Sequence, residues 1–150
     1  MTGPSRTRFF LAGIIQGSLR GLGVFDQSYR HRIKAVLRGF DPDCELVCPV
    51  EEHPESVRYT DGQARETFLA NVERAKQCDA VIVYLPEASM GSSIEMWEAH
   101  RCGVPVLTVS PLDSNWVVRI LSDHVFPDLG GFESFVSSGG LSRLLPGKPR

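Results

Sequence analysis

Long hydrophobic runs are missing from this chain. The longest apolar stretch near its start, Phe9 to Ile15, has seven residues, far short of the ~18 that a membrane-spanning helix needs. No membrane partner is expected. Arg6 and Arg8 imitate the basic start of an export signal, but Gln16 follows with no small-x-small cleavage site, so the run reads as a buried strand. An excess of one charge is missing too. Sixteen Lys and Arg stand against 18 Asp and Glu, a net charge of −2. That balance excludes a nucleic-acid polymer as the main partner, because phosphate neutralisation requires a basic surplus. Cysteine is sparse: Cys44, Cys48, Cys78 and Cys102, with no C-x-x-C pair. A chain of 150 residues buries enough surface to fold without disulfides, so reduced thiols and a cytoplasmic setting are expected. Cys44, Cys48 and His53 have no second Cys/His pair at zinc-finger spacing, so no metal is expected. The G-x-G-x-x-G of a dinucleotide fold and the Gly-Lys-Ser/Thr ending of a Walker loop are both absent, and no cofactor is expected.

What is present is an alternation of apolar strands and amphipathic helices. Strands are expected at residues 8–15, 44–47, 79–85 and 104–109, with a short fifth at 124–126. Helices are expected at about 26–39, 64–76, from the turn 86–91 to about 102, at 115–122, and from 132 to 136. Tyr29, Ile33, Val36 and Leu37 form one helical stripe, and Trp97 at helical spacing reads as core. Residues 49–62, with Pro49, Pro54 and Gly62, read as a long loop, and His53 within it is a candidate base contact. Residues 1–7 and about 139–150 read as loose ends of a single domain spanning 1–150. Apolar strands alternating with helices imply an α/β three-layer sandwich: one domain, flavodoxin-like (Rossmann-like), with a parallel sheet of four to five strands. Ligands of such sheets bind at the carboxyl ends of the strands, near the switch point.

Two loops lie there. The first, Gly13-Ile14-Ile15-Gln16-Gly17-Ser18 and onward to Gly23, offers backbone amides with little side-chain obstruction, which suits an anion as well as a plain tight turn. The second, from Pro86 to Glu95, sets Ser89, Ser92 and Ser93 at a helix start, where free amides and the positive dipole end favour phosphate. Ser92-x-x-Glu95 also fits a capping box, and Glu98 lies on nearly the same side as Glu95. Two carboxylates are therefore available for acid and base work, unless Glu95 caps and Glu98 is solvated.

The run from Cys78 to Ala99, centred on Tyr84-Leu85-Pro86-Glu87-Ala88-Ser89-Met90-Gly91-Ser92-Ser93-Ile94-Glu95 and followed by Gly103-Val104-Pro105-Val106, resembles the nucleoside 2-deoxyribosyltransferase superfamily. Its pattern is similar to the 2′-deoxynucleoside 5′-phosphate N-hydrolases within it. Phe10-Leu11-Ala12-Gly13 resembles their first strand, which leads into a phosphate loop. The resemblance implies a homodimer that cleaves, or transfers, at the N-glycosidic bond of a nucleoside or nucleoside 5′-monophosphate. It places Glu95 on the nucleophile and Asn71 where the family carries an orienting Asp. Substrate contacts fall on Gly13, Ile15, Gln16, Gly17, Ser18, Ser89 and Gly91, with Asn115 in a loop that in the family reaches the neighbouring subunit's site. Phe10 stands where the family carries a Tyr, and Gln16 where the hydrolases offer Arg. Asn71 and Phe10 also suit a second reading, a nucleotide-binding module of the same fold without catalysis. A partner-binding domain of that fold is the third.

Overall fold

In a computed structural model describing residues 6–148, five strands form one parallel sheet. They are β1 (Arg8–Gly13), β2 (Glu45–Val47), β3 (Ala80–Tyr84), β4 (Val106–Val109) and β5 (His124–Phe126), in the spatial order β2-β1-β3-β4-β5. This is the flavodoxin-like order, with its switch point between β1 and β3. The register runs Phe9↔Ala80 to Gly13↔Tyr84 between β1 and β3, and Val81↔Val106 to Tyr84↔Val109 between β3 and β4.

The strands carry apolar residues on both sides because helices cover both. Phe9, Leu11, Ile82, Leu107 and Val109 face α1 (Tyr29–Phe40), α6 (Leu129–Ser137) and α7 (Gly140–Leu144). Phe10, Ala12, Val81, Val83 and Val106 face α3 (Asp61–Lys76), α4 (Met90–Arg101) and α5 (Trp116–Leu121). Phe9, Phe10, Ile82, Met96 and Phe132 are fully enclosed. Thr60 and Gln63 start α3 with a reciprocal capping box, and Asp128 caps α6 by accepting from the Gly131 amide at 2.8 Å.

Four expectations are corrected. Residues 49–62 are not a bare loop: α2 (Pro49–Glu52) and a 3₁₀ turn (Ser56–Arg58) occupy them. The C-terminal stretch is not loose through 148, because α7 buries Leu141 completely and Leu145 just after it is buried almost so. At the other end Thr7 is buried, its amide donating to Asp41 Oδ2 at 3.1 Å and its carbonyl accepting from Glu45 at 2.8 Å. Residues 1–5 and 149–150 lie outside the described residues. Trp97 is half exposed rather than core, and Met96 takes the buried place. Among the described residues no helix is long and apolar enough to cross a membrane, and no cluster of three His, Cys, Asp or Glu could hold a metal ion.

Candidate active site

A cavity of about 320 Å³ opens at the carboxyl ends of β1 and β3, on the side covered by α3 and α4. That is at the lower end of small-ligand pockets, roughly 300–1,000 Å³. Gly13 lines it from the end of β1, Ile15, Gln16 and Gly17 from the loop that follows, Ser89, Gly91 and Glu95 from the start of α4, and Asn71 from α3. The structure thus brings together eight of the ten residues singled out from the sequence. Ser18 is exposed at the next position of the same loop. Asn115 stands apart from the cavity, and its Oδ1 accepts from the amides of Val117 and Val118 to cap α5.

The first loop is shaped by glycines. Gly17 has φ +55°, and a Cβ there would come within 2.6 Å of Ile14 Cδ1. A side chain is excluded both by the left-handed backbone and by space. A Cβ at Gly13 would lie 2.4 Å from the Tyr29 hydroxyl, which fills that position. Side-chain amides hold the loop: Gln16 Nε2 donates to the Gly21 carbonyl at 2.7 Å, and Gln27 Nε2 to Ile14 and Phe25 carbonyls at 3.0 and 2.9 Å. The backbone amides of Ile15, Gln16, Gly17 and Ser18 have no hydrogen-bond partner among the described residues. Successive free amides around a left-handed residue form an anion-binding concavity.

Ser89, not Ser92, caps α4. Its Oγ accepts from the Ser92 amide at 3.4 Å and donates to Ser92 Oγ at 3.1 Å. The Ser92–Glu95 capping box does not form, which frees Glu95 for the cavity. The amides of Met90 and Gly91 are left without partners among the described residues, as the first helical amides are. Of the residues that carry these free amides, Ile15, Gln16, Gly17, Met90 and Gly91 line the one cavity.

Glu95 is part-buried on the inner side of α4. Loss of hydration pushes its carboxyl up to about 8, against the pull of the Arg30 guanidinium. Arg30 is itself buried, donating to the Leu11 carbonyl at 2.9 Å and to Gln27 Oε1 at 2.8 Å. Glu98 does not share the site. It pairs with Arg101 at 2.8 Å, and that bond holds its carboxyl below the usual range. Asn71 is 8% exposed, and its carboxamide has no partner among the described residues. Phe10 is wholly enclosed between α3 and α4 and brings no polar group.

Sequence reasoning missed the outer wall: Pro49, Tyr59, Thr67 and Phe68. Tyr59 is the signal that was available, a lone aromatic in a polar segment. Its hydroxyl lies 2.9 Å from His53 Nδ1, so His53 reaches the cavity only through Tyr59. A larger cavity, about 540 Å³, lies beside β4 and is lined by Tyr84, Ser110 and Asp128. Its one cation among the described lining residues, Arg32, is paired with Glu133.

No family model and no curated protein sequence matches the chain. Solved structures do. A 2-deoxyribosyltransferase from Bacillus psychrosaccharolyticus superposes with a TM-score of 0.62 at 19% identity, covering 96% of this chain and 99% of that one. A conserved protein from Enterococcus faecalis gives 0.61 at 16% identity, with 89% and 99% covered. A CMP N-glycosidase from Clostridium botulinum gives 0.53 at 15% identity, with 88% and 98% covered. At these identities the likeness is one of fold: the chain shares its fold with a 2-deoxyribosyltransferase and a CMP N-glycosidase.

Proposed function

We propose that this protein cleaves the N-glycosidic bond of a nucleoside 5′-monophosphate, with Glu95 as nucleophile. The observation that carries the reading is a desolvated carboxyl sharing one cavity with two sets of free amides. The amides at 15–18, those at the head of α4 and the Ser89 hydroxyl suit a phosphate, each being a neutral donor that needs no counter-charge. Two of the structural neighbours, a deoxyribosyltransferase and a CMP N-glycosidase, act at this kind of bond.

In the reaction the ionised Glu95 attacks C1′ of the sugar. The C1′–N bond breaks with its electron pair on the base, and a glycosyl ester forms. Water then cleaves the ester, and two inversions leave retained configuration. A free base in place of water gives deoxyribosyl transfer. Asn71 can hold the sugar or base by hydrogen bonds but moves no proton. The working unit is a homodimer. Met90, Ile94 and Trp97 on α4 and Trp116 and Ile120 on α5 are exposed apolar side chains on neighbouring helices, which supports a self-association face.

The test is incubation with a pool of nucleoside 5′-monophosphates, read by chromatography for free base. The parent protein should release base, and Glu95→Gln should lower the rate by three orders of magnitude or more while still binding nucleotide. Release by Glu95→Gln at the parent rate refutes the assignment. Supplying a second free base separates transfer from hydrolysis, by the appearance of a new nucleotide.

A further inference from the structure

We infer that the base this cavity releases is one that leaves without being protonated, a pyridinium already cationic in the nucleotide. The inference rests on the assignment of Glu95 as nucleophile. A neutral purine or pyrimidine departs as an anion unless a proton reaches it, and a placed general acid contributes about 10²- to 10⁴-fold. Among the described residues the cavity holds no such acid. Of its described lining side chains only Glu95 carries a charge, and Glu95 cannot stay protonated and attack. Asn71, nine-tenths buried and without a partner among the described residues, presents a carboxamide, which hydrogen-bonds without giving up a proton. The remaining polar groups are hydroxyls and amides, with no second carboxyl and no imidazole among them.

What is present favours a cationic ring. Tyr59, Phe68 and Pro49 form apolar walls for a flat heterocycle, and aromatic faces attract a cation. A positive ring beside Glu95 favours the carboxylate over the acid, offsetting the burial that otherwise keeps it protonated. Asn71 offers both a donor and an acceptor, the complement of a carboxamide on that ring. The step balances without an acid. A Glu95 oxygen bonds to C1′, the C1′–N bond breaks, and its electron pair turns the pyridinium into a neutral pyridine. Water then cleaves the ester, giving the sugar phosphate, the free carboxylate and one proton to solvent.

The experiment compares base release from nicotinamide mononucleotide, CMP and AMP at equal concentration, by the parent protein, Asn71→Asp and Tyr59→Phe. The pyridinium nucleotide should react at least about 100-fold faster than either neutral-base nucleotide. Asn71→Asp, which puts an acid in the cavity, should raise release from CMP or AMP tenfold or more and narrow that ratio. If Asn71→Asp fails to fold, the parent ratio decides alone. CMP or AMP cleaved as fast as the pyridinium overturns the inference and leaves the Glu95 assignment standing, provided Glu95→Gln abolishes it. Loss of neutral-base release alone in Tyr59→Phe also overturns it, since Tyr59 with His53 would then be the acid. No release from any of the three overturns the inference; release of base from another nucleotide of the pool, abolished by Glu95→Gln, then keeps the Glu95 assignment, and no release from the whole pool overturns both.

Discussion

At the scale of single residues, Glu95 sets two opposed demands. Its carboxyl titrates near 4.5 when unhindered and near 8 in the fold, with desolvation the larger cause. The fold therefore prefers the protonated form. The stability this contributes is whole below about pH 4.5 and is lost as pH rises through 8. Glu95→Gln cannot ionise, so melting curves should find it more stable than the parent at pH 8, by on the order of 2–4 kcal/mol, and nearly equal at pH 4.5. Activity runs the other way: base release should climb about tenfold per pH unit below 8 and level above it, because the carboxylate is the nucleophile. Ser89→Ala separates two roles in one side chain. Loss of the helix cap should lower stability by about 0.5–2 kcal/mol in thermal unfolding. Loss of a donor to phosphate should narrow the affinity gap between monophosphate and nucleoside by about 1–3 kcal/mol in titration calorimetry. Much of this site was legible in the sequence, since helix-start serines and an open glycine loop announce their free amides by residue type. The Tyr59–His53 contact was not, because the short segment between them, with its single 3₁₀ turn, is too brief to carry a periodicity from which to place one side chain against another.

At the scale of elements, α7 shows where local pattern fails. Gly139 to Leu145 is too short and too rich in glycine to read as a helix, yet Leu141 is fully enclosed beside Phe132 and Ile33. Gly140 lies so close to the Phe135 ring that a Cβ would sit 2.5 Å away. Leu141→Ala should cost about 2–5 kcal/mol and Gly140→Ala about 1–3 kcal/mol, each by chemical denaturation. β3 and α1, by contrast, were readable to within three residues, because an unbroken apolar run between helices and a clean i, i+4, i+7 stripe each admit one interpretation. α4 is the intermediate case. Met90, Ile94 and Trp97 make an apolar stripe at i, i+4 and i+7 that faces outward, while Met96 and Ala99 are the apolar residues buried, so spacing finds the helix but picks the wrong side as the inner one.

At the scale of the whole molecule, the exposed Trp116, 75% accessible, and Ile120, 63%, carry the dimer proposal. A stable pair buries roughly 1,200–2,000 Å². Sedimentation at micromolar concentration should give about twice the 16.6 kDa of one chain, and Trp116→Glu with Ile120→Glu should return the single-chain mass. Because neither residue packs in the interior, the double variant should keep the parent circular dichroism spectrum.

The pairing of β1 with β3 joins Phe9 to Ala80, so partners at the centre of the sheet stand 71 positions apart in sequence. On a ribosome, the glycine loop emerges long before the helix that carries Glu95. No local hairpin can bring them together, because parallel neighbours require a crossover. The cavity is a late product of folding, and any protease or chaperone that meets the nascent chain meets it without one.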